Sequence, residues 1–247
     1  MEPQFSIVIP AYNEEQYLEA TLKAVHKAIS ECPYEGEVIV VDNNSDDKTA
    51  QIAKELGAKV VFEPINQISK ARNAGGRAAM GKWLVFVDAD TLIDGDLLSR
   101  ALANLASGEC CGGGAITVFD EELEWPVYHF VNGWNWLAVN RGLAAGSFVY
   151  CLKEGFDAVE GFSEQVYASE EVWFSRALRH WGEPQGLKFK VITEAKVLTS
   201  NRKLHWYSSV HLLFQFIILV FFPFALYSRR LCNLWYARPK KESETSD

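Results

Sequence analysis

Over the first hundred positions the apolar residues fall into two alternating patterns. Phe5 to Ile9 is a short continuous run ended by Pro10, and beyond it Leu18, Leu22, Val25 and Ile29 recur at helical spacing. That predicts a strand followed by an amphipathic helix. The unit repeats, with Val38 to Val41 as a buried strand, Ser45-Asp46-Asp47 as a helix start, and Ile52 and Leu56 on the apolar face. Lys59 to Phe62 predicts a third strand, Ser69 to Met80 a helix with Gly81 at its end, and Trp83 to Val87 a fourth strand. Strands separated by helices predict an α/β fold, a mostly parallel sheet with right-handed crossovers.

The pattern then loosens. Gly95 to Ala106 reads as a helix, Ala115 to Phe119 as a strand, and Pro126 to Arg141 as a helix rich in aromatics. Ser147 to Leu152 predicts a strand, Glu170 to Trp181 a helix closed by Gly182, and Phe189 to Ile192 a late strand. Val210 to Tyr227 is apolar apart from His211, Gln215 and Pro223, long enough to be weighed as a membrane span. Glu242 to Asp247 is a polar tail.

Composition narrows the function classes. With 49% hydrophobic and 23% charged residues, the 247-residue chain is neither wholly disordered nor a multispanning membrane protein. A net charge of −8 argues against a nucleic-acid partner, which needs a basic face, and leaves room for a small anion held through a metal. The five cysteines show no C-x-x-C spacing and sit mainly in apolar runs, so they are read as reduced, structural thiols. Met1 to Phe5 carries no secretory pattern, which points to the cytoplasm.

Chemistry enters at Asp88-Ala89-Asp90, directly after the fourth strand. In open α/β sheets ligands sit beyond the carboxyl ends of the strands. In extended chain, positions i and i+2 point to one side, so both acids address one cation. Carboxylates with open positions suit Mn²⁺ or Mg²⁺. Alone, the pair is equally at home as turn or cap residues.

Two further strands run into polar turns, Ile7-Val8-Ile9-Pro10-Ala11-Tyr12-Asn13-Glu14-Glu15 and Val40-Val41-Asp42-Asn43-Asn44-Ser45, and Ala71-Arg72-Asn73-Ala74-Gly75-Gly76 lies between them and the acids. With these four motifs in order, the chain resembles the family 2 glycosyltransferases of the GT-A fold over about residues 5 to 203. The resemblance implies that Pro10, Ala11, Tyr12, Glu14 and Asp42 cradle the nucleoside of a sugar donor, with Asp42 near the base. It puts Arg72 and Asn73 near further nucleotide contacts, counts Ala89 among the donor contacts, and gives the metal to Asp88 and Asp90. Each has a plainer reading: Asn13 and Glu14 as caps of the first helix, Asp42 as a turn residue, Arg72 as a solvated helix charge.

Gly146-Ser147-Phe148-Val149-Tyr150 and Val159-Glu160-Gly161-Phe162 are similar to the segment before the family's acceptor helix. Ser169-Glu170-Glu171 stands where the family carries a Glu-Asp pair opening that helix. An inverting transfer needs a carboxylate to take the acceptor's proton. Glu171 is the candidate by position and Glu170 the alternative, and first-turn acids also suit a helix dipole without any chemistry. Arg202 or Lys203 meets either the diphosphate or lipid headgroups. Trp125, Tyr128, Trp134 and Trp136 could stack on sugar rings, but the expectation is that most are core.

The implied activity is transfer of a sugar from a UDP- or GDP-type donor to an acceptor hydroxyl. Rivals are a sugar-phosphate nucleotidyltransferase, whose glycine-rich loop is missing, and a catalytically silent membrane scaffold. Arg229, Arg230, Arg238, Lys240 and Lys241 outnumber Arg202 and Lys203 around the apolar stretch, so a simple span would put the catalytic part outside, away from cytosolic sugar nucleotides. An interfacial or re-entrant helix pair broken near Pro223, at the cytoplasmic face of the membrane, avoids the conflict; a buried packing helix or dimer contact is the alternative. The expected organisation is a catalytic domain over 1–203, with a nucleotide half to about 107 and an acceptor half from 108, a membrane-associated segment over 204–236, and a tail over 237–247. A polyprenyl-linked acceptor is the hypothesis that the apolar segment suggests.

Overall fold

A computed structural model describes residues 2–120, 123–144, 146–200, 223–232 and 236. The first half contains β1 (Phe5–Ala11), α1 (Leu18–Ser30), β2 (Gly36–Asp42), α2 (Thr49–Glu55), β3 (Lys59–Phe62), α3 (Ile68–Ala78), β4 (Trp83–Val87), β5 (Thr91–Leu92) and α4 (Gly95–Ala106). The second contains β6 (Cys110–Phe119), α5 (Trp125–Arg141), β7 (Phe148–Leu152), α6 (Lys153–Ala158), α7 (Glu170–Gly182) and β8 (Lys188–Thr199). All eight strands join in one sheet of order β3-β2-β1-β4-β7-β6-β8-β5. The α/β expectation holds. Strands β1 to β4 are parallel, whereas β7 runs antiparallel to both its neighbours, β4 and β6.

Continuous apolar runs form the central strands because both faces of the sheet are covered. Every residue of β1 and β4 is buried. On one face Ile7, Ile9, Val85 and Val87 meet Leu18, Leu22 and Val25 of α1 and Leu97, Leu98 and Leu102 of α4. On the other, Val8, Val41 and Phe86 meet Ala71 of α3, Phe156 of α6, and Phe174 and Leu178 of α7. Phe162 stacks on Phe174 at 4.1 Å between ring centres and meets Phe86 edge-on at 4.9 Å. Each fully buried phenylalanine contributes about 1.5–3 kcal/mol, so this cluster anchors α7 firmly over the end of β4.

Several boundaries differ from the sequence pattern for identifiable reasons. Pro10 does not end β1; it pairs in register with Val41. The Ala11 carbonyl accepts from Asn43 N–H on the β2 side, so Pro10 faces β4, where the ladder has already stopped at Val8 and no N–H is needed. Gly81 does not close α3, whose last residue is Ala78; it lets the chain pass under β1, where a Cβ would stand 2.4 Å from the Phe5 carbonyl carbon. Helix α7 runs on from Gly182 into a 3₁₀ turn, Glu183–Gln185, and the left-handed residue that ends it is Gly186 (φ +73°).

The aromatics of α5 are a larger correction. Trp125 is 75% exposed and Trp136 67%, and Tyr128 is also exposed, so these residues are not core. Helix α5 is pinned to β6 by the Asn135 amide, which donates to the Thr117 carbonyl at 2.9 Å, and Ala138 is buried. Of the apolar stretch from Val210, only Pro223–Tyr227 lies within the described residues. It is a 3₁₀ turn whose Ala225 and Leu226 pack on Val166 and Ala168. Among the described residues, no helix is long and apolar enough to cross a membrane.

Candidate active site

The carboxyl ends of β1, β2 and β4 open on the same side, and their turns are laced together. Asn13 N–H donates to Ser45 Oγ (3.0 Å), Glu14 N–H to Thr49 Oγ1 (2.7 Å), and Asp46 N–H to Asn13 Oδ1 (2.9 Å). Asn13 and Asn44 sit at φ +53° and +67°, a left-handed conformation that asparagine tolerates better than most residues. Asn13 therefore ties two loops together instead of capping α1, which begins at Leu18. Pro10 and Ala11 are buried strand residues, Tyr12 is partly exposed, and Glu14 is buried with its carbonyl starting the helix. Asp42 is buried, and its Oδ1 accepts Ser45 N–H at 3.0 Å, holding the turn after β2.

Asp88, Ala89 and Asp90 are not extended. Thr91 N–H closes a turn onto the Asp88 carbonyl at 3.1 Å, and Thr21 Oγ1 holds the buried Ala89 through its carbonyl at 2.8 Å. The same-side argument from strand periodicity therefore does not apply. Asp88 Oδ1 turns toward α3, while Asp90 lines a cavity of about 90 Å³ with Tyr17, Thr21, Asp120, Leu198 and Thr199.

Arg72 joins the two halves. It is 1% exposed, so it is not a solvated helix charge. Its Nη1 donates to Glu170 Oε1 at 2.6 Å, and its Nη2 donates to Asp88 Oδ1 at 2.8 Å and to the Gly146 carbonyl at 2.7 Å. Phe162 lies under the guanidinium, 5.3 Å to the ring centre. Gly75 makes this placement possible, because a Cβ there would stand 2.3 Å from Val8 Cγ1 and push α3 off the sheet. Arg72 Nε is buried with no hydrogen-bond partner among the described residues. Burial alone would lower the pKa of Arg72; Asp88, Glu170 and Glu171 more than reverse it and keep the guanidinium charged.

Asn73 faces elsewhere. Its amide donates to the Phe162 carbonyl (2.9 Å) and to Glu164 (3.0 Å) and accepts from Phe162 N–H (2.8 Å), which clips the loop before α7 to α3. Lys70 pairs with Glu164 at 2.6 Å. Glu170 and Glu171 open α7 as expected, beyond Ser169 at φ +59°. A Cβ at Gly146 would lie 3.6 Å from the Glu171 carboxyl and 3.8 Å from Arg72 Nη2, so both groups converge beside this residue. Burial raises the pKa of both glutamates. Glu171 is pushed up to about 8, by burial first and then by the charge of Glu170, against the pull of Arg72. The pair titrates as a unit. Glu170 is the member in direct contact with the guanidinium.

Sequence reasoning did not single out the Gly146 carbonyl, Glu164, Asn43 or Gln67. Gly146 stood inside a recognised motif, but nothing in a sequence marks a carbonyl as an arginine acceptor. Asn43 stood inside the motif after the second strand without a role of its own, and Gln67 carried no signal, since neither patterning nor charge distinguishes it. Arg202 lies outside the described residues.

Over residues 6–158, more than half of the chain, the sequence matches the family model described as Glycosyl transferase family 2. The chain belongs to glycosyl transferase family 2. An uncharacterized glycosyltransferase of Mycobacterium tuberculosis is 38% identical over 103 residues, 42% of this chain and 44% of that one, so the match spans less than half the length of that relative. Among solved structures, the mannosyltransferase PcManGT from Pyrobaculum calidifontis, in complex with GDP-Man and Mn²⁺, superposes with a TM-score of 0.63 at 21% identity. That match covers 81% of this chain and 57% of PcManGT. Glucosyl-3-phosphoglycerate synthase from M. tuberculosis, in complex with Mn²⁺, UDP and glucosyl-3-phosphoglycerate, gives 0.57 at 20% identity, covering 83% and 74%. At these identities the likeness is one of fold.

Proposed function

We propose that this family 2 member is an inverting, metal-dependent glycosyltransferase that moves a sugar from a UDP- or GDP-type donor to an acceptor hydroxyl. The observation that carries the reading is the buried Arg72 ion-paired to Asp88 at the end of β4 and to Glu170 at the start of α7. It brings a donor-side acid and an acceptor-side acid pair into one centre. In this reading residues to about 107 hold the nucleotide, with Pro10, Ala11, Tyr12, Glu14, Ala89 and Asp42 around the nucleoside and Asp42 at the base. Residues from 108 to 203 form the acceptor side, and Arg202 meets the diphosphate. Arg72 and Asn73 act on the donor indirectly, by holding Asp88 and the loop before α7.

The donor set fits a hard divalent cation. Asp88, Glu170 and Glu171 stand against one buried arginine, with Asp90 two residues beyond Asp88, so an arriving diphosphate meets an acidic centre unless a cation comes with it. Among the described residues no three His, Cys, Asp or Glu side chains gather as a closed cage. Mg²⁺ and Mn²⁺ need none, because they take one or two carboxylates and complete their shell with water and phosphate oxygens. Asp88 and Asp90 would hold the ion, which supplies charge neutralisation for the departing diphosphate. Glu171, in its ionised form, accepts the proton of the acceptor hydroxyl as that oxygen bonds to the anomeric carbon and the bond to the diphosphate oxygen breaks, and its raised pKa suits it to that task. Glu170, fixed by Arg72, orients its neighbour.

The apolar run from Val210, with arginines and lysines after it, supports work at the cytoplasmic face of a membrane on a lipid-linked acceptor. Calorimetric titration with UDP, GDP and dTDP, with and without Mn²⁺, tests the donor side. Binding of one nucleotide that depends on Mn²⁺ and is lost in an Asp88→Ala, Asp90→Ala double variant is the expected result. No binding of any nucleotide would refute the reading.

A further inference from the structure

A chain of contacts runs from the described C-terminal residues to both sides of the centre. On the donor side, Arg229 Nη2 donates to Asn66 Oδ1 at 3.0 Å, and Asn66 Nδ2 donates to the carbonyl of Asn43 at 3.3 Å. Asn43 follows Asp42 directly. Its own amide is fully engaged, donating to the carbonyls of Glu63 and Ile65 at 3.1 and 2.7 Å and accepting from Gln67 N–H at 3.0 Å. On the acceptor side, the Gln67 amide donates to the carbonyls of Glu164 and Val166 at 2.8 and 3.1 Å, which ties the start of α3 to the loop that leads into α7.

The same loop is gripped from outside. Tyr167 N–H donates to the Leu226 carbonyl at 2.7 Å, and Val166 and Ala168 pack on Ala225, Leu226 and Cys232. Tyr236 meets the Tyr167 ring edge-on at 5.7 Å, and the Arg229 guanidinium covers the other ring of that pair at 5.1 Å. The Tyr236 hydroxyl is buried beside the Ile68 backbone. Burial and then the charge of Glu170 raise the pKa of both Cys232 and Tyr236, so these side chains stand within electrostatic reach of the acid pair.

We propose that residues 223–232 together with Tyr236 form a latch that holds the loop after β2 and the loop before α7 in one register, with Arg229 as its positioning residue on the donor side. The latch rests on the transferase reading, since it is the donor and acceptor loops of that reading that it joins. Arg229 touches neither loop's reacting groups; it acts through Asn66, whose amide it orients so that the bond to the Asn43 carbonyl persists. Without it, the turn that carries Asp42 and the loop that carries Glu164 to Ala168 keep the tie through Gln67 but lose the one through residues 223–232.

The test uses the full chain and two variants. Arg229 is exposed, so Arg229→Ala keeps the fold, and Arg229→Lys restores a cationic donor. UDP and GDP with Mn²⁺ are titrated calorimetrically, and hydrogen exchange is followed by mass spectrometry over residues 163–171. Arg229→Ala is expected to bind the parent's preferred nucleotide about threefold to tenfold more weakly, the effect of one lost charge-assisted hydrogen bond. It is also expected to speed exchange in the loop before α7, with Arg229→Lys lying between. Unchanged exchange overturns the latch. Faster exchange with unchanged affinity overturns the coupling to the donor loop and reduces the contact to packing. If the parent itself binds neither nucleotide, the transferase reading fails, while the exchange measurement still decides whether the latch exists.

Discussion

The two halves of the molecule reach their geometry by different means. From β1 to β4 each strand-end turn is held by its neighbour through short side-chain to backbone hydrogen bonds, as between Asn13, Ser45 and Asp46. The sheet beneath them is regular and parallel. Beyond β6 the sheet reverses at β7, helix α5 shows its aromatics to solvent, and the acid pair is fixed by an arginine 98 residues earlier in sequence. The first half is thus set by repeating local architecture, whereas the second depends on a few long-range contacts. In the proposed function these are the donor and acceptor sides, and a fold built in this way can vary the second while keeping the first.

The contrast is broken hardest at Arg72. Arg72→Met leaves the buried Glu170 and the partly buried Asp88 without their partner, and removing one member of such a network costs about 3–5 kcal/mol. Denaturant unfolding should show that loss, together with loss of turnover. The clip on the loop before α7 comes next. Gly161→Ala forces a side chain into a φ of +76° and puts a Cβ 2.4 Å from Asn73 Oδ1, so a loss of about 1–3 kcal/mol is expected in the same assay. The smallest effect belongs to α5. Trp136→Ala should change stability by no more than about 0.5 kcal/mol, because the ring is exposed; a large loss would mean that this face is covered in the folded protein.

Proton linkage separates the same regions. Glu171 has a higher pKa folded than unfolded, so the folded state binds the extra proton between about 4.5 and 8. Its contribution to stability is complete below the unfolded value and is lost as pH rises through the folded one. Thermal unfolding measured from pH 5 to 9 should show that decline in the parent and a flatter profile in Glu171→Gln.

Legibility in the sequence follows the division between halves. Strands β1, β2, β3 and β4 and helices α1 and α4 were readable because each is one apolar run or one helical stripe buried by neighbours in sequence. The strand from Cys110 to Phe119 was half missed, since Gly112, Gly113 and Gly114 carry no apolar signal; they are glycines because β7 and β8 press on both sides, with a Cβ at Gly112 only 2.7 Å from the Tyr150 carbonyl oxygen. The candidate acids were all visible as motifs. Their arrangement was not. Strand periodicity does not describe Asp88 and Asp90, because they lie in the turn closed by Thr91, and no local pattern announces that Arg72 is buried between Asp88 and Glu170. Burial of a charge is a property of the whole fold.

The assignment of the base is tested most directly by nucleoside diphosphate release from UDP- and GDP-sugars with Mn²⁺, compared between the parent and Glu171→Gln. The expected result is unchanged nucleotide binding, stability at pH 8 equal to or above the parent's, and turnover lower by about 10²–10⁴-fold, the range typical of a lost general base. Turnover near the parent's with binding intact would contradict the account and move the proton to Glu170 or to another group.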